Sequence, residues 1–208
     1  MANTLALIAY HQGKAGNEFD IIGYESCLVD TNANNVIEHA RKMNADWLFF
    51  FDYDVEYLLS GDVLDYMVSQ NKDVLCGVYY QGLFPFRPVL YNFTNDGLLE
   101  NYVTIPDGLF KIDSAGAGFC LISKKVLDLL TEEENEKSGK PFDPIMRGTQ
   151  VHLRADAAFF WRLKKLGVEV WACPDIPLAH IKKNKVVRSF FEKSKEMIVN
   201  AQSAPDNG

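Results

Sequence analysis

Two aspartates one residue apart, Asp52 and Asp54, end the apolar run "DWLFFFDYD", and Glu56 follows them. In an extended chain alternate residues point to one side, so a D-x-D pair can present both carboxylates to the same point. Hard oxygen ligands held that way suit Mg²⁺ or Mn²⁺, above all when a diphosphate supplies the remaining oxygens. The plainer reading is an acidic turn after a strand. Asp156 opens the amphipathic stretch "ADAAFFWRLKKLG". In the first turn of a helix the dipole favours its ionised form, which a general base or a hydroxyl-orienting group requires, whereas a capping residue needs no more than its position. His180 closes the apolar stretch "PDIPLAH" and runs into the basic "IKKNK", where a surface histidine is equally at home.

The segment "SAGAG", residues 114 to 118, lacks the G-K-[ST] ending of a phosphate-binding P-loop. Gly116 and Gly118 before a strand instead let the backbone approach a ligand closely, or make a tight turn. Aromatic side chains gather around the same stretches: Tyr79, Tyr80, Phe84, Phe86 and Trp161. Sugar faces pack well on such rings, although core packing accounts for most aromatics in any domain. The segment "YYQGLFPFRP" is too broken by Gly and Pro to be simple core, and is expected to help form a ligand pocket.

These residues need a scaffold, and the apolar pattern supplies one. "TLALIAY" reads as a buried first strand, "SCLVDTNANNVIEHARKM" as a helix with Ser26 as candidate N-cap, and "DWLFFFD" as a second strand. "GDVLDYMVSQN" reads as a helix starting near Gly61 and Asp62, and "DVLCGVYY" as a third strand. "PVLYNF", "GLFKID" and "GFCLIS" add shorter strands, followed by helix in "KKVLDLLTEEE". After a long loop over 135–151 come the Asp156 helix with Gly167 at its C′ position, the strand "VEVWAC" and a terminal helix "VVRSFFEKSKEMIV". The βαβαβ rhythm predicts an α/β fold with a mixed, mostly parallel central sheet flanked by helices. Ligands of open α/β sheets bind beyond the C-terminal strand ends, where Asp52 and Asp54 fall.

Length and composition fit one domain over residues 1–200, with 201–208 as a flexible tail. A formal net charge of −7 argues against broad binding to nucleic acid. Cys27, Cys76, Cys120 and Cys173 form no CxxC pair and read as core thiols of a reducing compartment. The start "MANTLALIAYHQG" has neither the basic region of a signal peptide nor the length of a membrane span, so a cytoplasmic protein is expected.

The order of these stretches, an apolar strand into D-x-D, "DSAGAGFCLIS", an acid opening a helix in "RADAAFFWRLKKLG", then "VEVWACPDIPLAHIKK", resembles the GT-A (Rossmann-like) nucleotide-sugar glycosyltransferases. The likeness is to small bacterial and phage-type members and covers residues 4 to 185. It implies a metal-dependent transfer of sugar from a nucleoside diphosphate, a UDP-sugar rather than a GDP-sugar, to a glycan or other hydroxyl acceptor, in a bacterium or a phage-infected host. By that resemblance Asp52 lies near the ribose or donor sugar and at the metal, Asp54 ligates Mn²⁺ or Mg²⁺, and His180 completes the metal shell. Gly116, Ala117 and Gly118 line the donor and acceptor pocket, Lys182 and Lys183 add positive charge at the phosphates, and Asp156 is the catalytic residue, matching the second acid of the family's E-D pair. The family's usual E-D pair is incomplete, because Ala155 stands where the first acid is expected. The base is expected near Tyr10, His11 and Gln12 at the end of the first strand, with Asp30 as a further contact, and the 135–151 loop as a lid. Two alternatives use the same residues: a haloacid dehalogenase-like phosphatase with Asp52 as nucleophile, and a non-catalytic module that binds nucleotide sugar or carbohydrate.

Overall fold

Strand alternation sorts the apolar residues of the central sheet onto two faces, and each face has its own helices. The computed structural model describes residues 2–23, 29–59, 61–135, 139–181 and 185–203. The central sheet has five strands in the order β1 (Trp47–Phe51), β8 (Phe119–Ser123), β3 (Val74–Gly77), β11 (Val170–Cys173) and β6 (Phe110–Ile112). Leu48, Val74, Cys76, Cys120, Ile122, Val170 and Ala172 face one side. That side is covered by α2 (Val29–Lys42), α4 (Lys124–Asn135) and α5 (Ala155–Lys165) through Ile37, Leu127, Phe159 and Leu163. Leu75, Phe119, Leu121 and Cys173 face the other, where α1 (Ala2–Ala15) contributes Ile8 and α3 (Val63–Ser69) contributes Val63, Leu64 and Met67. Phe119, fully buried, meets Phe49 and Phe51 edge-on at 4.8 and 5.6 Å. Burying a side chain of this size stabilises by about 1.5–3 kcal/mol, so this face alone holds β1 and β8 together strongly.

The expected mostly parallel sheet is corrected. Only β3 and β11 pair in parallel; β1 with β8, β3 with β8, and β11 with β6 are antiparallel. The reason is that β8, which comes late in the chain, inserts between β1 and β3. These two strands and β11 still run the same way, so their C-terminal ends converge, and β8 begins at that same end with Phe119 opposite Phe51. The mixed α/β character stands.

A second correction concerns the N-terminus. Residues 2–15 form helix α1 rather than a first strand. A seven-residue apolar run such as "TLALIAY" fits a buried strand or one face of a helix equally well, and periodicity cannot separate the two. A third correction concerns 135–151, which is no structureless loop: β9 (Ile145–Arg147) and β10 (Gln150–Leu153) form a hairpin across Gly148, whose φ is +63°. Arg162, 5% exposed, donates to the carbonyls of Pro141 and Asp143 and fixes the segment before it.

Two small sheets complete the molecule. One joins β13 (Lys185–Val186), β12 (Leu178–Ile181) and β2 (Val55–Tyr57); the other joins β5 (Leu99–Asn101), β4 (Leu90–Phe93) and β7 (Ser114–Ala115). Helix α6 (Arg188–Ser203) follows β13. Asp62 caps α3 as expected, accepting from the Leu64 and Asp65 amides, and Gly167 follows α5 at φ +72°. Cys76 and Cys120 are buried thiols on facing strand positions, their sulfurs 3.4 Å apart. Ser26, Cys27 and residues 204–208 of the expected tail lie outside the described residues. Among the described residues no helix is long and apolar enough to cross a membrane.

Candidate functional site

The site grows from the converging strand ends. Leaving β1, Asp52 is fixed by its amide, which donates to the Gly118 carbonyl at 2.8 Å, and by its own carbonyl, which accepts from Val55 at 3.1 Å. The chain thus turns through Asp52, Tyr53 and Asp54 into β2. Strand β2 pairs with β12, setting Val55 opposite His180, and the Ile181 amide donates to the Asp54 carbonyl at 2.6 Å. Two residues 126 positions apart in sequence therefore meet: Asp54 Oδ2 lies 3.4 Å from His180 Nε2, both side chains largely buried.

The other imidazole nitrogen settles what that contact means. His180 Nδ1 lies 2.6 Å from the Tyr80 carbonyl oxygen, which can only accept, so Nδ1 carries a proton. In the neutral ring Nε2 then presents a bare lone pair to a carboxylate. A protonated ring instead donates from Nε2 to the Asp54 carboxylate. The Tyr80 carbonyl is itself held in place: the Tyr80 ring stacks on Phe191 of α6 at 5.5 Å, and Ser194 of α6 donates to the Pro85 carbonyl in the following loop.

The "SAGAG" segment closes the other side. Val89 donates to the Tyr79 carbonyl and Gly116 donates to the Val89 carbonyl, which brings Tyr79 beside the glycines. The Tyr79 hydroxyl accepts from the Gly118 amide at 3.3 Å, and its ring stands edge-on to His180 at 5.2 Å. A Cβ on Gly116 would fall 2.0 Å from the Tyr79 hydroxyl, and one on Gly118 would fall 2.3 Å from Asp52 Oδ2. Both glycines are required for the same reason: each leaves room for an oxygen that belongs to the site.

Helix α5 brings the last acid. Asp156 Oδ2 accepts from the Ala117 amide at 3.2 Å. Burial, reinforced by the nearby Asp52 charge and opposed by the amide hydrogen bonds, pushes the Asp156 carboxyl up to about 6. Asp156 keeps a partly open surface although its carboxyl is surrounded by protein, an arrangement that leaves it reachable and desolvated together. The helix enters through Ala155 at φ +41°, a left-handed conformation that is strained for a residue with a Cβ. Arg154, at the N-cap, offers no side-chain cap.

The structure therefore gathers Asp52, Asp54, His180, Gly116, Ala117, Gly118 and Asp156 in one connected set of contacts, with Tyr79 at the middle. The expected base contacts lie elsewhere in the network. Gln12 is buried near the end of α1 and donates to Asp62 and Asp65 at the start of α3, while Tyr10 is 61% exposed with its ring edge-on to His11. Asp30 sits in the first turn of α2 and accepts from the Thr31 amide. Trp161 packs on Phe93, whereas Leu83 and Phe84 are exposed beside the Tyr80 loop. Lys182 and Lys183 lie outside the described residues.

Comparison with known proteins adds the fold. The chain superposes on the crystal structure of A197 from STIV with a TM-score of 0.51 and 22% identity, over 87% of this chain and 86% of that one. That likeness extends to the architecture alone. The apo crystal structure of UDP-glucose pyrophosphorylase aligns with a TM-score of 0.44 and 7% identity, over 95% of this chain and 70% of that one. No family model matches the sequence, and no curated protein does.

A divalent ion of the hard, phosphate-bridging kind would find two donors here, Asp54 and His180. Among the described residues no three His, Cys, Asp or Glu side chains gather into a cage. Asp54 and His180 offer one oxygen and one nitrogen, and an ion of this class completes its shell from phosphate oxygens and water.

Proposed function

We propose that this protein is a metal-dependent glycosyltransferase of GT-A type, moving a sugar from a nucleoside diphosphate, with UDP favoured, to a hydroxyl acceptor such as a glycan. The observation that carries the reading is the Asp54–His180 pair, a carboxylate oxygen and an imidazole nitrogen 3.4 Å apart, set beside a glycine turn that makes room for Asp52. A divalent ion held there, Mn²⁺ or Mg²⁺, would offset the charge that develops on the departing diphosphate.

The remaining work belongs to the chain's own groups. Asp52, pressed against the Gly118 backbone, is the proposed contact of the ribose or the sugar of the donor. Asp156, with a carboxyl raised to about 6, is ionised at neutral pH yet basic enough to take a proton from, or orient, the acceptor hydroxyl. Lys182 and Lys183 are proposed phosphate contacts, and Tyr10, His11, Gln12 and Asp30 remain proposed contacts of the base.

Incubation with Mn²⁺ and a panel of UDP-sugars, read as UDP release with and without added glycans, tests this reading. Release by the wild type that is lost in Asp156→Ala, with UDP binding kept, is the expected result. Binding of UDP with no turnover of any sugar would instead favour the non-catalytic module.

A further inference from the structure

Tyr79 is 6% exposed and follows β3 directly into the site. Its hydroxyl occupies the place a Gly116 side chain would take, accepts from Gly118, and lies close enough to Asp52 and Asp156 to feel both charges. A phenol has one hydrogen to give. Among the described residues, the Gly118 amide is the hydroxyl's hydrogen-bond partner, and that bond uses an oxygen lone pair and leaves the hydrogen unspent. A phenol keeps that hydrogen at neutral pH. A buried donor left without an acceptor is unfavourable, and a bound group that accepts from it recovers that cost.

A sugar hydroxyl both donates and accepts, and this corner of the site offers the complement of each. The phenol supplies a fixed donor, and the Asp52 carboxylate beside it supplies an acceptor. We propose that the Tyr79 hydroxyl donates a hydrogen bond to a hydroxyl of the transferred sugar, while Asp52 accepts that hydroxyl's own hydrogen. No bond is made or broken by Tyr79; it positions the sugar, and it selects for a hydroxyl at that place. The inference rests on the nucleotide-sugar reading and deepens it by naming what the cradle between Gly116 and Gly118 recognises.

The test separates the sugar from the nucleotide. Calorimetry with Mn²⁺ would compare UDP with UDP-glucose, UDP-galactose and UDP-N-acetylglucosamine on the wild type and on Tyr79→Phe, which keeps the ring against His180. The expected result is an unchanged affinity for UDP and an affinity for the best-bound UDP-sugar lowered about tenfold. Gly116→Ala, which displaces the hydroxyl rather than deleting it, should reproduce that pattern. Equal loss for UDP and UDP-sugar in Tyr79→Phe would make Tyr79 a support of the Asp54–His180 pair and overturn the inference, as would no loss for either. Wild-type protein that binds no UDP would overturn the proposed function, and this inference with it.

Discussion

Gly118 and Asp52 share one place: a Cβ on the glycine would stand 2.3 Å from Asp52 Oδ2 and 2.7 Å from its Cγ. Asp52 is tied to that glycine through its own amide as well, so it has little freedom to retreat. Gly118→Ala is therefore expected to cost about 1–3 kcal/mol of stability by overpacking. It should also weaken binding of an intact UDP-sugar, because the carboxylate must move. Urea unfolding and calorimetry check the two effects, and Asp52→Ala in the same chain should recover part of the stability.

Asp54 and His180 should act as a unit. Removing either leaves the other facing the ion alone, so Asp54→Ala and His180→Ala are each expected to lower Mn²⁺-dependent UDP affinity by at least about tenfold. In EDTA none of the three proteins should bind UDP. Titration of UDP with and without Mn²⁺ reads this, and unchanged Mn²⁺ dependence in both variants would exclude the pair as a metal site.

Asp156 links activity to stability through pH. Its carboxyl ordinarily titrates near 3.8 and is raised to about 6 in the fold. Below pH 4 folded and unfolded chains both carry the proton, and burial of the charge costs nothing. Between about pH 4 and pH 6 the unfolded chain ionises first, so the folded state progressively loses stability, and the full loss persists above pH 6. Two pH units correspond to about 3 kcal/mol, reduced to roughly 1–3 kcal/mol by the residue's partial exposure. Asp156→Asn, whose amide oxygen can still accept from Ala117, should therefore be more stable than wild type at pH 7.5 and equal to it near pH 4, while sugar transfer is lost. Denaturant unfolding at the two pH values provides the comparison.

Ala155 holds a left-handed φ of +41° immediately before that acid. Relief of this strain by Ala155→Gly outweighs the added freedom of the unfolded chain, for an expected gain of about 0.5–1 kcal/mol. Ala155→Val should be destabilising, since a branched Cβ fits this conformation poorly. The midpoints of thermal unfolding would order the three proteins.

Much of the fold was legible because it is written in local apolar runs. β1, β3, β8 and β11 are short, nearly continuous hydrophobic segments, α3 carries its start signal in Asp62, and α5 its stop signal in Gly167. Strand direction was not legible, because it depends on where β8 inserts after roughly 70 intervening residues. The N-terminal helix was missed because its run is too short to choose between two periods. The β9–β10 hairpin had a signal, Gly148 between two short strand-like stretches, that the prolines nearby obscured. In the site, Asp52 and Asp54 announce themselves by spacing, whereas the meeting of Asp54 with His180 depends on the β2–β12 pairing. Tyr79 is one aromatic among several in the sequence, and nothing in a string of letters marks a buried hydroxyl that feels two acids.

The most direct test of the central claim is calorimetric titration of UDP and of GDP into the purified protein with Mn²⁺, repeated in EDTA. The account predicts UDP binding that disappears on chelation and weaker binding of GDP. Absence of binding for both nucleotides in Mn²⁺, or UDP binding indifferent to EDTA, would contradict it.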